Sequence, residues 1–173
     1  RPAYDKAAKF GAGDADILLL YGLFVVRLRR FTEARDTIGR ALALDPLNPR
    51  TWRAAGMIAL YSGRPREAVQ RLDRALALNP NDANALFGSG TILAAQGRYE
   101  EGIDRMREAM RLNPYHPEWY WISLGNIFYF AHRYEDSLEA YKHRTDPGYW
   151  VMARIAACYA QLGRMEEARV AAA

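Results

Sequence analysis

Apolar residues recur along this chain at intervals of three and four, without the alternation of a strand, so the pattern predicts helices from about residue 14 to the end. The apolar-periodic stretches are about 12–15 residues long and come in pairs. Short turns split each pair at Ser62-Gly63-Arg64-Pro65, Gly97-Arg98-Tyr99, Ala131-His132-Arg133-Tyr134 and Gly163-Arg164-Met165. A glycine there can adopt the left-handed conformation that ends a helix. Asp14, Asn48, Asp82, His116 and Asp146 stand as candidate N-caps of the first helices, with Pro49, Pro117 and Pro147 at the position after the cap. Glu33, Glu67, Glu100, Glu101, Glu135, Asp136, Glu166 and Glu167 open the second helices, where acids oppose the dipole favourably.

The pattern repeats. Gly22, Gly56 and Gly90 are 34 residues apart, and Gly125 follows after 35. Ala34, Ala68 and Gly102 keep the 34 spacing, followed by Ser137 and Ala168. Ala41, Ala75 and Ala109 do the same, as do Pro46, Pro80 and Pro114. Small residues at these positions let two helices of a pair approach closely, with Trp52, Leu72, Met106 and Trp121 expected to fill the space beside them as core. The interval from His116 to Asp146 is only 30, so the second helix of the fourth unit, about 134–144, should be roughly one turn short. A tight turn is expected at 145–148. Residues 4–10 read as the end of a preceding helix, joined through Gly11-Ala12-Gly13.

A 34-residue period with these residues resembles the tetratricopeptide repeat family. The second unit supplies Trp52, Gly56, Ala68, Leu72, Ala75 and Pro80, and the third Leu86, Gly90, Gly102, Met106, Ala109 and Pro114. The first supplies Leu18, Gly22, Ala34, Ile38, Ala41 and Pro46. The fourth keeps Trp121, Gly125, Phe128, Ser137 and Tyr141, then departs, with Arg144 where a second Ala would stand. The resemblance implies an all-α fold, an α-solenoid winding as a right-handed superhelix of about five helix-turn-helix repeats. Their spans would be about 14–47, 48–81, 82–115, 116–145 and 146–173, the last cut short. Residues 1–13 would be the end of an earlier helix and its link.

In this family the first helix of each pair lines a concave groove where a partner lies. Carried over, the groove would comprise Leu19, Leu23, Arg53, Met57, Tyr61, Phe87, Thr91, Trp119, Ile122, Asn126, Phe130, Trp150 and Arg154. That set is apolar and aromatic with a few arginines, the composition of interaction hot spots. It implies a non-catalytic module for protein–protein interaction. The subclass that grips a chaperone's C-terminal carboxylate is disfavoured, because Leu19, Leu23, Ala54, Asn84 and Gly88 occupy its clamp positions. The stretch from Asn113 to Tyr141, followed by 147–172, also resembles the C-terminal repeats of bacterial signalling proteins. In those, an adenylate/guanylate cyclase or winged-helix domain precedes the array. This implies a regulatory arm of a larger bacterial parent.

Composition adds mainly exclusions. Lys plus Arg is 24 against 20 Asp plus Glu, a net charge of +4 that demands neither nucleic acid nor an anionic membrane. Arginine supplies 21 of the cations, which reads most simply as codon usage. The Arg64–Arg74 and Arg98–Arg111 clusters alternate with acids at helical ion-pair spacing, so a solvated salt-bridged face outweighs nucleic-acid binding as their explanation. Cys158 stands alone, which excludes an intrachain disulfide framework and argues against a thiolate metal site. The run Ile17–Val26 is far shorter than the roughly 20 residues that span a bilayer. It lacks the features of a secretory signal, so a cytoplasmic location is expected. No phosphate loop, H-E-x-x-H or nucleophile elbow is present, and no cofactor is expected. The chain opens on Arg1 and stops mid-pattern, as a piece of a longer protein would, and a homodimer through residues 150–173 is a further expectation.

Overall fold

The computed structural model describes residues 13–145 and 148–173. The described residues form ten helices and no strand. They are α1 Ala15–Arg27, α2 Phe31–Leu44, α3 Pro49–Tyr61, α4 Pro65–Leu78, α5 Ala83–Ala95, α6 Tyr99–Leu112, α7 Trp119–Phe130, α8 Tyr134–Lys142, α9 Gly148–Gln161 and α10 Met165–Ala172. This is the expected all-α class, with odd-numbered helices as the first and even-numbered as the second member of each pair. The expected preceding helix at 4–10 and the Asp146 cap with Pro147 lie outside the described residues. The chain divides into two compact units after Ser89, a point inside α5.

Local chemistry sets the helix ends. Asp14 accepts from the Asp16 and Ile17 amides, Asn48 from those of Arg50 and Thr51, and Asp82 from those of Asn84 and Ala85. Each thereby satisfies amides that a helix start leaves open, worth about 1 kcal/mol per cap. His116 is not the cap of its helix. α7 begins at Trp119, with Glu118 in the cap position and making no side-chain cap bond. The His116 ring instead stacks on Tyr120, with centroids 5.2 Å apart. Pro117 accordingly sits two residues outside the helix.

All five first helices end alike. The residue after the C-cap is left-handed: Gly63, Gly97 and Gly163 take φ of 73°, 81° and 73°, while Arg29 and His132 adopt 59° in the other two units. The next residue is always arginine, and its amide reaches back five residues: Arg30 to Val25, Arg64 to Ala59, Arg98 to Leu93, Arg133 to Phe128 and Arg164 to Tyr159. This is the closing bond of a Schellman motif. The same arginine pairs three residues ahead with an acid in the first turn of the second helix. The pairs are Arg30–Glu33, Arg64–Glu67 at 2.7 Å, Arg98–Glu101 at 2.5 Å, Arg133–Asp136 at 2.7 Å and Arg164–Glu167 at 2.7 Å.

In the first unit, α1 packs on α2, α2 on α3 and α3 on α4. Its core gathers Leu19, Tyr21, Val25, Ala34, Ile38, Ala54 and Ile58. In the second unit the pairs are α7 with α8 and α9 with α10, with α6 against α7 and α8 against α9. Leu138, Tyr141, Val151 and Cys158 form one core there. The periodic small residues mark the closest approaches. A Cβ on Gly56 would lie 2.7 Å from Leu72 Cγ, one on Gly125 2.6 Å from the Tyr141 ring, and one on Gly90 2.9 Å from the Gly102 carbonyl oxygen. Leu72 and Met106 are fully buried beside them, each such side chain stabilising by about 1.5–3 kcal/mol. Trp52 and Trp121, expected as core, are only half-buried. Trp52 uses its indole N–H to reach the Pro46 carbonyl at 2.8 Å, and Trp121 lies flat against His143 with centroids 3.8 Å apart. Tyr120 and Tyr141 take the buried aromatic places instead. α8 has nine residues where α2, α4 and α6 have fourteen, so the fourth second helix is short as expected.

Candidate functional site

Packing uses one face of each first helix, and the opposite face is left to solvent. Among the described residues, every exposed aromatic ring on a helix lies on a first helix: Tyr61 on α3, Trp119 and Phe130 on α7, Tyr149 and Trp150 on α9. The second helices expose charge instead. Arg35–Asp36, Arg71–Glu67, Arg111–Glu108, Lys142–Glu139 and Arg169–Glu166 add to the five arginine pairs at the helix starts. The Arg98 and Arg111 hydrogen bonds hold the Glu101 and Glu108 carboxyls below their ordinary range. These are exposed, screened pairs that add little to stability.

Two candidate cavities lie on the first-helix face, one in each unit. In the first unit, α1 and α3 enclose about 350 Å³ between Leu19, Leu23, Val26, Arg27, Arg50, Arg53, Ala54, Met57, Ile58 and Tyr61. The structure thus brings together Leu19, Leu23, Arg53, Met57 and Tyr61, all predicted from the sequence. Leu19 contributes as a buried wall, at 2% exposure, and not as an open contact residue. In the second unit, about 230 Å³ is lined by Thr91, Ala94, Ala95, Tyr99, Ser123, Asn126, Ile127 and Phe130. Predicted Thr91, Asn126 and Phe130 meet there. Asn126 spends its carbonyl on the Tyr141 hydroxyl, 2.8 Å away. Arg154 lies over the Tyr129 and Phe130 rings at 4.5 and 5.2 Å, a cation–π stack that holds its guanidinium. Phe87 and Ile122 are half-buried, and Trp119 and Trp150 are exposed; none of these four lines either cavity.

Arg27 was not among the predicted groove residues, although it stands 34 residues before Tyr61 and so shares its register. A further cavity of about 470 Å³ faces the second-helix side, lined in part by Arg107, His116, Trp121, Phe128, Asp136 and His143. Its charged walls are engaged: Asp136 by Arg133, and Arg107 over the Phe128 ring at 5.7 Å. Beneath the second unit's surface, Ser137 donates to the Gly125 carbonyl at 2.8 Å and accepts from Cys158 at 3.4 Å. Burial pushes both the Cys158 thiol and the Tyr141 hydroxyl above their ordinary values. Both groups are packing elements held in their neutral forms. Among the described residues, no three His, Cys, Asp or Glu side chains gather to hold a metal, and no helix is long and apolar enough to cross a membrane.

Paired helices with paired charge on one side and open aromatic faces on the other define a helical-repeat protein. A family model described as Tetratricopeptide repeat matches residues 1–49 and 53–117, and the chain belongs to that family. No curated protein matches the sequence. Solved structures do. MamA (residues 41 to the end) from Desulfovibrio magneticus superposes with a TM-score of 0.83 at 17% identity, covering 91% of this chain and 90% of that one. YrrB, described as a TPR protein with an unusual peptide-binding site, gives 0.82 at 17% identity, with 98% and 88% covered. PilF of Pseudomonas aeruginosa gives 0.77 at 21%, with 98% and 75% covered. At these identities the likeness is one of fold.

Proposed function

We propose that this chain is a non-catalytic interaction module that holds a protein or peptide segment against the outward face of its first helices. The observation that carries the proposal is the segregation of exposed rings: Tyr61, Trp119, Phe130 and Trp150 are 46–55% exposed and all lie on first helices. Exposed rings of this kind mark binding surfaces. Family membership supports it, as does the peptide-binding site of YrrB, a relative in fold. The five-repeat division of 14–173 belongs to the same proposal. So does a role as the regulatory arm of a larger signalling protein with a cyclase or winged-helix domain. That role rests on sequence resemblance alone, and none of the three solved relatives has a name that refers to either domain.

Self-association is a second reading, favoured by Tyr149 and Val170, which are 90% and 79% exposed in the last helix pair. Nucleic-acid binding is weaker, because Arg71 and Arg111 on second helices, and Arg64 and Arg98 just before them, are each held by an acid. The test is capture from source lysate with three baits: the unaltered chain, Tyr61→Ala with Trp119→Ala, and Arg66→Ala with Arg74→Ala on the second-helix side. A protein retained by the first and third and lost from the second supports the proposal. Loss only from the third contradicts it. Sedimentation against concentration separates self-association.

A further inference from the structure

The α1–α3 cavity does not end at Tyr61. A second cavity, about 510 Å³, is lined by Val26, Arg27, Arg29, Phe31 and Tyr61. Val26, Arg27 and Tyr61 line both, so the two form one track within the first unit. Its apolar walls include Leu23, Val26, Met57 and Tyr61, and its charged residues are Arg27, Arg29, Arg50 and Arg53. No acidic residue lines it.

Arg64, Arg98, Arg111 and Arg164 each pair with an acid one turn away. Arg27, Arg29 and Arg50, by contrast, line an acid-free track and have no carboxylate partner among the described residues. Arg53 alone is tethered, its Nε 2.9 Å from Asp82, and that carboxylate also caps α5. The positive charges stand at the two ends of the track. Arg50 and Arg53 occupy the first turns of α3, while Arg27 and Arg29 lie beside Tyr61 at its far end. Eleven residues of helix separate Arg50 from Tyr61, about 16 Å at 1.5 Å per residue. An extended peptide covers that distance in about five residues.

Resting on the interaction-module reading, we infer that this track takes an acidic peptide segment, with carboxylates about five residues apart and large apolar side chains between them. Guanidinium groups match carboxylates with paired, charge-assisted hydrogen bonds, and Leu23, Met57 and Tyr61 offer the intervening apolar floor. A basic segment would meet the unpaired charges of Arg27, Arg29 and Arg50 and be rejected.

The test is fluorescence anisotropy with the whole chain and a fluorescein-labelled peptide carrying two glutamates at that spacing with leucines between. A glutamine version, a lysine version and a single-stranded oligonucleotide of matched length serve as the other arms. The glutamate peptide should bind, and the glutamine peptide should bind at least tenfold more weakly. Arg27→Ala with Arg50→Ala should cost the glutamate peptide at least tenfold and leave the glutamine peptide unchanged. Arg66→Ala with Arg74→Ala should change neither, with unaltered circular dichroism throughout. Equal binding of the glutamate and glutamine peptides, binding of no peptide, or tighter binding of the oligonucleotide would each overturn the inference. Failure here with Tyr61-dependent capture intact removes the acidic ligand and keeps the module. Failure of both removes the module as well.

Discussion

The two helices of each pair carry opposite surfaces. A first helix is apolar on both sides: Gly56 of α3 faces Leu72 of its partner, while Met57, Ile58 and Tyr61 line the cavity. A second helix has a single apolar stripe, such as Ala68, Leu72 and Ala75 of α4, and a solvent side of paired ions. Packing alone explains the second helix completely. It leaves Tyr61 and Trp150 of the first helices more than half exposed, and that surplus supports the proposed interaction surface.

The sharpest way to probe the packing side is at the glycines, whose neighbours differ in what they can yield. An alanine at Gly102 meets the Gly90 carbonyl oxygen at 2.8 Å and the Ala94 Cβ at 3.1 Å, so backbone must move. Gly102→Ala should cost about 2–3 kcal/mol in denaturant unfolding. Gly125→Ala meets the Tyr141 ring, which is buried and anchored on Asn126, and should cost about 1–2 kcal/mol. Gly22→Ala meets Ile38 Cδ1 at 2.6 Å and Cγ1 at 2.8 Å, the outer atoms of an aliphatic side chain, and the roughly 1 kcal/mol gained in helix propensity should hold the net loss below that at Gly125. Equal losses at the three sites would contradict the distinction between rigid and yielding neighbours.

Alkaline pH probes the same core. The Cys158 and Tyr141 values are raised in the folded state, chiefly by burial. A raised value means that the stability they add is whole below the unfolded thiol's range, near pH 8.5, and is lost as pH climbs above it. The urea midpoint should therefore hold from pH 7 to 8 and drop by pH 10.5, less so in Cys158→Ala. A midpoint unchanged to pH 10.5 would count against this. On the second-helix exterior, Arg64→Ala should cost less than about 1 kcal/mol, shrinking in salt. Smallest of all, Tyr61→Ala should change stability by no more than about 0.5 kcal/mol, as befits a ring that packs on little.

Much of this was legible in the sequence because periodicity reports packing. The positions of Gly22, Gly56, Gly90 and Gly125 located a close approach in each of the first four pairs, and Asp14, Asn48 and Asp82 located three helix starts. His116 misled because cap chemistry is weak there while stacking on Tyr120 is available, an interaction that local spacing does not encode. Trp52 and Trp121 misled because size suggests core, yet a half-open position suits an indole with its N–H bonded or its face covered by His143. The arginine at the start of each second helix repeated in plain view. Its double duty, an amide closing one helix and a guanidinium pairing with the next, needed three-dimensional geometry. Arg27 was missed although it holds in the first repeat the last-residue position that Tyr61 holds in the second, because its charge placed it with the neighbouring arginines instead of with the apolar groove set.

The most direct test of the division between the two helix classes is site-specific photo-crosslinking. A benzophenone amino acid replaces Tyr61 or Phe130 on first helices, or Arg74 or Glu108 on second helices, in chains otherwise unaltered and confirmed as folded. Exposed to the captured partner and irradiated, the Tyr61 and Phe130 positions should yield the adduct, and the Arg74 and Glu108 positions should not. Adducts formed mainly from Arg74 and Glu108 would contradict the assignment and move the interaction surface to the charged side.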